Sequence, residues 1–118
     1  HITTFGGNPV IATAALTTIN EIISAKLIQQ MSRKEKIFRK NLKHPRIKSI
    51  RGKGLMLAPI FENPQIPNLL VPRCIEKGLL LFWLLWEKNA IRISPPLNIS
   101  EEEIVLGCEI IRETLDEI

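Results

Sequence analysis

IKSIRGKGLMLAPIFE, residues 47–62, decides how the rest of the chain is read. Ile47 to Arg51 reads as a short strand and Leu55 to Phe61 as a second. Gly52 and Gly54 bracket a turn or bulge between them. On both sides of this hairpin the apolar spacing switches to that of helices, so strands and helices are mixed along one chain.

Upstream, Pro9 to His44 holds no glycine and no internal proline. Asn8 is a good N-cap, and Pro9 fits the first helical position, where a missing N–H costs nothing. Ile11, Ala15, Thr18, Ile19 and Ile22 recur at helical spacing. Leu27, Met31, Phe38 and Leu42 continue the period, with Lys and Arg on the opposite side. One helix of this length is unusual in a small domain, so two are expected, with a break or bend between Asn20 and Ala25. His44-Pro45 closes the second, because a residue before proline is pushed out of the α region.

Downstream, NPQIPN (63–68) reads as loop. Leu69 to Lys77 reads as a helix with Pro72 in its first turn and Gly78 as its stop. Leu79 to Phe82 is strand-like, Glu87 to Asn89 marks a turn, Ala90 to Ser94 reads as another strand, and Pro95-Pro96 ends it. Ser100 and Glu103 form a capping-box pattern, with Glu101 and Glu102 at the positive end of the helix dipole. Ile104, Cys108, Ile111, Leu115 and Ile118 then make one apolar stripe. The expected class is α+β: a small, mainly antiparallel sheet with helices on one face.

At 118 residues and 45% hydrophobic composition, the chain can bury one core. Its longest apolar run, Gly78 to Trp86, is far too short to span a bilayer, so no membrane partner is expected. Cys74 and Cys108 have no second cysteine or histidine at metal-ligand spacing, and read as two buried thiols of a reducing compartment. The net charge is +4, and ten of the sixteen Lys and Arg lie between Arg33 and Lys53. Such a block can be a nucleic-acid surface or a solvated helix face. Only Phe38 could stack a base there, whereas single-strand binding uses several such platforms, so no nucleic acid is expected. The first residue is His1, with no signal-peptide pattern before the motifs begin, and the chain is expected to be a piece of a longer protein.

Two stretches could bind anions. TTFGGNP (3–9) is a polar turn feeding a helix start: Thr3 and Thr4 offer hydroxyls, Gly6 and Gly7 allow close approach, and the helix end offers free N–H groups. It reads equally as a simple helix cap. IRISPPL (91–97) carries Arg92 between Ile91 and Ile93, facing away from both if this is a strand. A guanidinium there could clamp a carboxylate or simply sit in water at a sheet edge. RGKGLM (51–56) lacks the spacing of a phosphate-binding loop. His1 and His44 have no partners at catalytic spacing, and no catalytic triad, carboxylate pair or metal cluster can be assembled. Trp83 and Trp86 are expected in the core or in a dimer contact.

HITTFGGNPV, IRGKGLML and IRISPPLNISEEEI occur in this order, at similar spacing, in one family. Over essentially its whole length the chain resembles the C-terminal part of class III pyridoxal-phosphate aminotransferases, which include acetylornithine, ornithine and 4-aminobutyrate aminotransferases. The resemblance implies the small C-terminal domain of a type I pyridoxal-phosphate enzyme. Residues 1–24 would be the tail of the large cofactor domain, and residues 25–118 the small domain. It implies that Thr4 bonds the cofactor phosphate of the neighbouring subunit in a homodimer, with Thr3 adding a contact, and that Arg92 grips the substrate α-carboxylate. The implied parent is a cytoplasmic enzyme passing an amino group from an ornithine-like or other ω-amino donor to 2-oxoglutarate. Its Schiff-base lysine and pyridine-nitrogen partner fall upstream of TTFGGNP, no lysine here matches, and the chain alone is expected to be inactive. The alternative is a non-catalytic interaction or regulatory domain that keeps the fold. Two departures from the family pattern, the very apolar LLLFWLLWEKN and Pro72 inside a usually helical segment, bear on the approach to Arg92.

Overall fold

The computed structural model describes residues 3–118; His1 and Ile2, the first two residues of the HITTFGGNPV motif, lie outside the described residues. The chain divides into two compact units, residues 1–30 and 31–118.

The first unit is dominated by α1 (Pro9–Ser24). Asn8 caps it as expected, its Oδ1 accepting from the N–H groups of Val10 at 3.0 Å and Ile11 at 3.3 Å. None of α1's residues is buried, and Val10, Ile11, Leu16, Ile19 and Ile23 are all exposed. The helix stops at Ala25, and Lys26 takes a left-handed conformation at φ 51°. Such a stop normally falls to glycine and costs another residue about 1–2 kcal/mol. The expected break therefore falls at residues 25–26, and α2 (Leu27–Asn41) follows at once.

In the second unit, α2 contributes Phe38 to the core, and Leu42 follows it there. One member of its basic set does not follow the pattern: Lys34 is buried, and its ammonium donates to the carbonyl of Leu97 at 2.8 Å. The hairpin consists of β1 (Ser49–Lys53) and β2 (Met56–Ile60), antiparallel, with Gly54 and Leu55 as the two turn residues. Gly54 has φ 62°, the positive value that a two-residue hairpin turn demands. Leu55, Leu57, Pro59 and Phe61 point inward at period two, while β1 is a polar, mostly exposed edge. Arg39 ties this edge to α2: its guanidinium donates to the carbonyls of Ile50 and Gly52 at 2.8 and 2.9 Å and pairs with Glu35. Glu35 also accepts from the N–H of Gly54 at 2.6 Å, and this bond, then Arg39, holds its carboxyl below the usual range.

The next helix corrects the sequence reading. α3 runs from Gln65 to Glu76, so only Asn63 and Pro64 of NPQIPN are loop, and Pro72 lies in the helix interior while Pro67 occupies the first turn. First-turn N–H groups have no intrahelical partner, so Pro67 costs little there, and its presence does not signal a loop. The late strands are shorter than expected: β3 is Phe82–Trp83 and β4 is Ile91–Arg92, paired antiparallel. Trp83 is 45% and Trp86 95% exposed, which overturns the core placement of both; the segment after Trp83 turns out into solvent before Ala90 rejoins.

β2 also meets β4. Leu57 and Ile93 exchange both backbone hydrogen bonds, at 2.9 and 2.8 Å, and Phe61 donates to the carbonyl of Asn89 at 2.7 Å. The rung between these falls on Pro59 opposite Ile91, and proline has no N–H to give. That missing rung is why the strands form two pairs joined by bridges, in the order β1-β2-β4-β3, rather than one unbroken sheet.

α4 (Glu101–Glu117) forms as its sequence dictates, with the reciprocal Ser100–Glu103 capping box complete. Ile104, Cys108, Ile111 and Leu115 are buried and Ile118 partly so. They pack with Leu70, Val71 and Cys74 of α3 and with Leu57, Phe61 and Ile91 of the strands in one core. The architecture is α+β, as expected.

Candidate functional site

The turn at Thr3–Gly7 is held locally. The Gly6 N–H donates to the carbonyl of Thr3 at 3.3 Å, and the Asn8 N–H to that of Phe5 at 3.2 Å. Gly7 has φ 80°, which favours glycine, and a Cβ on Gly6 would stand 2.7 Å from the Thr3 methyl carbon, so that side chain would have to turn aside. Thr3 and Thr4 are exposed, and among the described residues neither hydroxyl has a hydrogen-bond partner.

The helix end behind them differs from expectation. Pro9 has no N–H, Asn8 Oδ1 takes those of Val10 and Ile11, and Ala12 N–H bonds the Asn8 carbonyl at 2.9 Å. The cap that starts α1 thus consumes the N–H groups that were expected to face an anion. What the turn can offer a phosphate is the hydroxyl pair. As donors to an anionic oxygen, two exposed hydroxyls held by a glycine turn, with no partner among the described residues, have suitable chemistry.

In the second unit, Arg92 sits on β4 between buried Ile91 and buried Ile93 and is itself exposed. Its guanidinium carbon lies 5.2 Å from the centroid of the Phe82 ring. Among the described residues no carboxylate lies within ion-pair distance of it. Arg92 and Phe82 line a cleft of about 380 Å³, walled by Leu79–Leu81, Ile93–Pro96, Ile99, Ile111 and Phe38, with Glu103 as its acidic member. Pro95 and Pro96 stiffen the wall after β4, and the buried Lys34 fastens the following carbonyl, Leu97.

A planar cation on a short rigid strand, with no counter-ion among the described residues and an apolar cleft at its side, can accept a carboxylate through paired N–H donors. Each of the two candidate stretches belongs to its own unit. The sequence reading missed Phe82. Its place opposite Arg92 follows from the β3–β4 register, which pairs the two directly. It also missed Lys34, whose position on the inner side of α2 could have been seen from its spacing to Met31 and Phe38.

Known proteins share this sequence and fold. The family described as aminotransferase class-III matches residues 1–115. An acetylornithine aminotransferase of Caldanaerobacter subterraneus subsp. tengcongensis is 35% identical over the whole of this chain and 30% of its own length. The fold superposes on a Bacillus anthracis aminotransferase with a TM-score of 0.88 at 28% identity, covering 100% of this chain and 30% of that one. An acetylornithine aminotransferase from Elizabethkingia anophelis gives 0.81 at 30% identity, with 100% and 31% covered. The chain thus spans about 30% of the length of the proteins it matches. It belongs to the class III aminotransferase family, whose members depend on pyridoxal phosphate.

Proposed function

We propose that the chain is the C-terminal part of a pyridoxal-phosphate-dependent aminotransferase that passes an amino group from an ornithine-like or other ω-amino donor to 2-oxoglutarate. The observation that carries this is Arg92: an arginine without a counter-ion among the described residues, at the rim of a cleft, in a chain of this family. Its role is to bind the α-carboxylate of 2-oxoglutarate and so orient the keto carbon beside it. Relatives named acetylornithine and ornithine aminotransferases support a donor of that class.

Thr4, with Thr3 beside it, donates hydrogen bonds to the cofactor phosphate of the neighbouring subunit in a homodimer. The free hydroxyls at the glycine turn support this role. When bound, the cofactor supplies the electron sink for amino transfer. On this reading residues 1–24 belong to the large cofactor domain and 25–118 to the small domain. The compartment is the cytoplasm, a placement supported by two free, buried cysteines.

The test is the full-length protein assayed for 2-oxoglutarate-dependent amino transfer from N-acetylornithine and ornithine. Arg92→Ala raises KM for 2-oxoglutarate by roughly ten- to a hundred-fold, since a charge-assisted pair is worth about 1.5–3 kcal/mol. An unchanged KM removes Arg92 from the site, and absence of any amino transfer removes the function.

A further inference from the structure

The environment of Arg92 contains a neighbour whose role follows from the strand register. Phe82 and Arg92 are directly opposed in the antiparallel β3–β4 pair, so their side chains rise from the same face of the sheet. The guanidinium carbon stands 5.2 Å from the ring centroid, within the range where an aromatic face attracts a cation. Phe82 is itself 46% exposed, so the ring is not serving as core filler. Both residues line the same cleft, and no carboxylate among the described residues competes for the guanidinium.

An exposed arginine ordinarily samples many rotamers and loses that freedom on binding a ligand. A ring beneath the guanidinium carbon narrows the choice beforehand. An aromatic ring also takes up none of the strong N–H donors that a carboxylate needs. Another exposed cation nearby, Arg51, is held differently: it lies 3.9 Å from the Glu87 carboxylate. An acid against Arg92 would compete with substrate for the same N–H groups. An aromatic ring does not.

We propose that Phe82 is a positioning residue for Arg92, holding the guanidinium over the cleft with its N–H edge presented to the substrate carboxylate. The proposal rests on the reading of Arg92 as the carboxylate clamp. Phe82 contributes selectivity for ligands that carry the α-carboxylate, and nothing to the binding of one that lacks it.

The experiment uses the full-length enzyme. With N-acetylornithine as donor, 2-oxoglutarate is the varied substrate, and succinic semialdehyde, the same chain without the α-carboxylate, is the competing ligand. Phe82→Leu keeps an apolar side chain and removes the ring. The expected result is a two- to five-fold fall in kcat/KM for 2-oxoglutarate, the range of a cation–ring contact at an exposed site. The fall appears in KM rather than kcat, and the inhibition constant of succinic semialdehyde does not move. Phe82→Tyr, which keeps the ring, restores the parent value. On an Arg92→Gln background, Phe82→Leu causes no further loss.

Equal weakening of both ligands by Phe82→Leu, or no weakening of either, overturns the proposal, as does a full additional loss on the Arg92→Gln background. Arg92→Gln alone separates the two layers. If it costs ten-fold or more while Phe82→Leu costs nothing, only the role of Phe82 fails. If Arg92→Gln leaves the KM for 2-oxoglutarate unaffected, the carboxylate reading fails and Phe82 with it.

Discussion

Replacing Gly52 by alanine tests the packing that carries the late strands. Gly52 has φ 105°, and a Cβ added there would stand 2.0 Å from the carbonyl oxygen of Met56 and 3.0 Å from the Cα of Leu57. Both obstacles are backbone, so no rotamer change relieves them. The hairpin must open at that point. The conformational strain alone is worth about 1–2 kcal/mol. Opening the pair also disturbs Arg39, whose guanidinium donates to the carbonyls of Gly52 and Ile50, at a further cost of about 1.5–3 kcal/mol. Together the loss is about 4 kcal/mol, a large share of the roughly 5–15 kcal/mol that holds an ordinary domain folded. Gly78 is the control: φ is 87°, but nothing lies within 4 Å of its added Cβ, so Gly78→Ala bears only the strain. With a urea dependence of about 1 kcal/mol per molar, Gly52→Ala lowers the unfolding midpoint by about 4 M and Gly78→Ala by about 1–2 M. Urea titrations of the 118-residue chain, followed by circular dichroism, make the comparison. Equal shifts in the two variants would refute the close-contact reasoning.

Thr4→Val in the full-length protein weakens cofactor retention by about ten-fold, as expected for one lost hydrogen bond to a charged phosphate; cofactor absorbance after gel filtration reads it, and full occupancy argues against the phosphate role. Burial pushes the Cys108 thiol from 9.0 up to about 12. Its contribution to stability is therefore complete below about pH 9 and is lost as pH rises toward 12. Urea midpoints at pH 8 and pH 10 should fall less in Cys108→Ala than in the unmodified chain. With α1 carrying five exposed large apolar residues, the isolated 118-residue chain self-associates, and light scattering that returns a monomer mass contradicts this.

Local signals were readable and pairings between distant segments were not. Asn8 and the Ser100–Glu103 box announce α1 and α4 because a cap involves only a few consecutive residues. The α4 stripe is equally local, and its first four members are buried. The start of α3 is hidden because Pro64 and Pro67 resemble loop residues, although a helix tolerates proline at its cap and in its first turn. The run LLLFWLLW is apolar enough to suggest a core strand. Its exposure at Leu85 and Trp86 depends on where β4 returns, which no local pattern encodes. For the same reason Arg92 could be picked out from its alternation with two isoleucines, whereas the ring beside it could not. The break between β2 and β4 needs two facts at once: proline at position 59 and its partner 32 residues later.

The two thiols have a practical consequence. Cys74 and Cys108 are wholly shielded, and burial raises both above the ordinary cysteine value. A bulky alkylating reagent can reach neither until the α3–α4 seam parts, and at neutral pH little thiolate awaits it. The rate of labelling is then a stopwatch for that opening. With no dye or tag attached, it would report how often the seam between the last two helices comes apart.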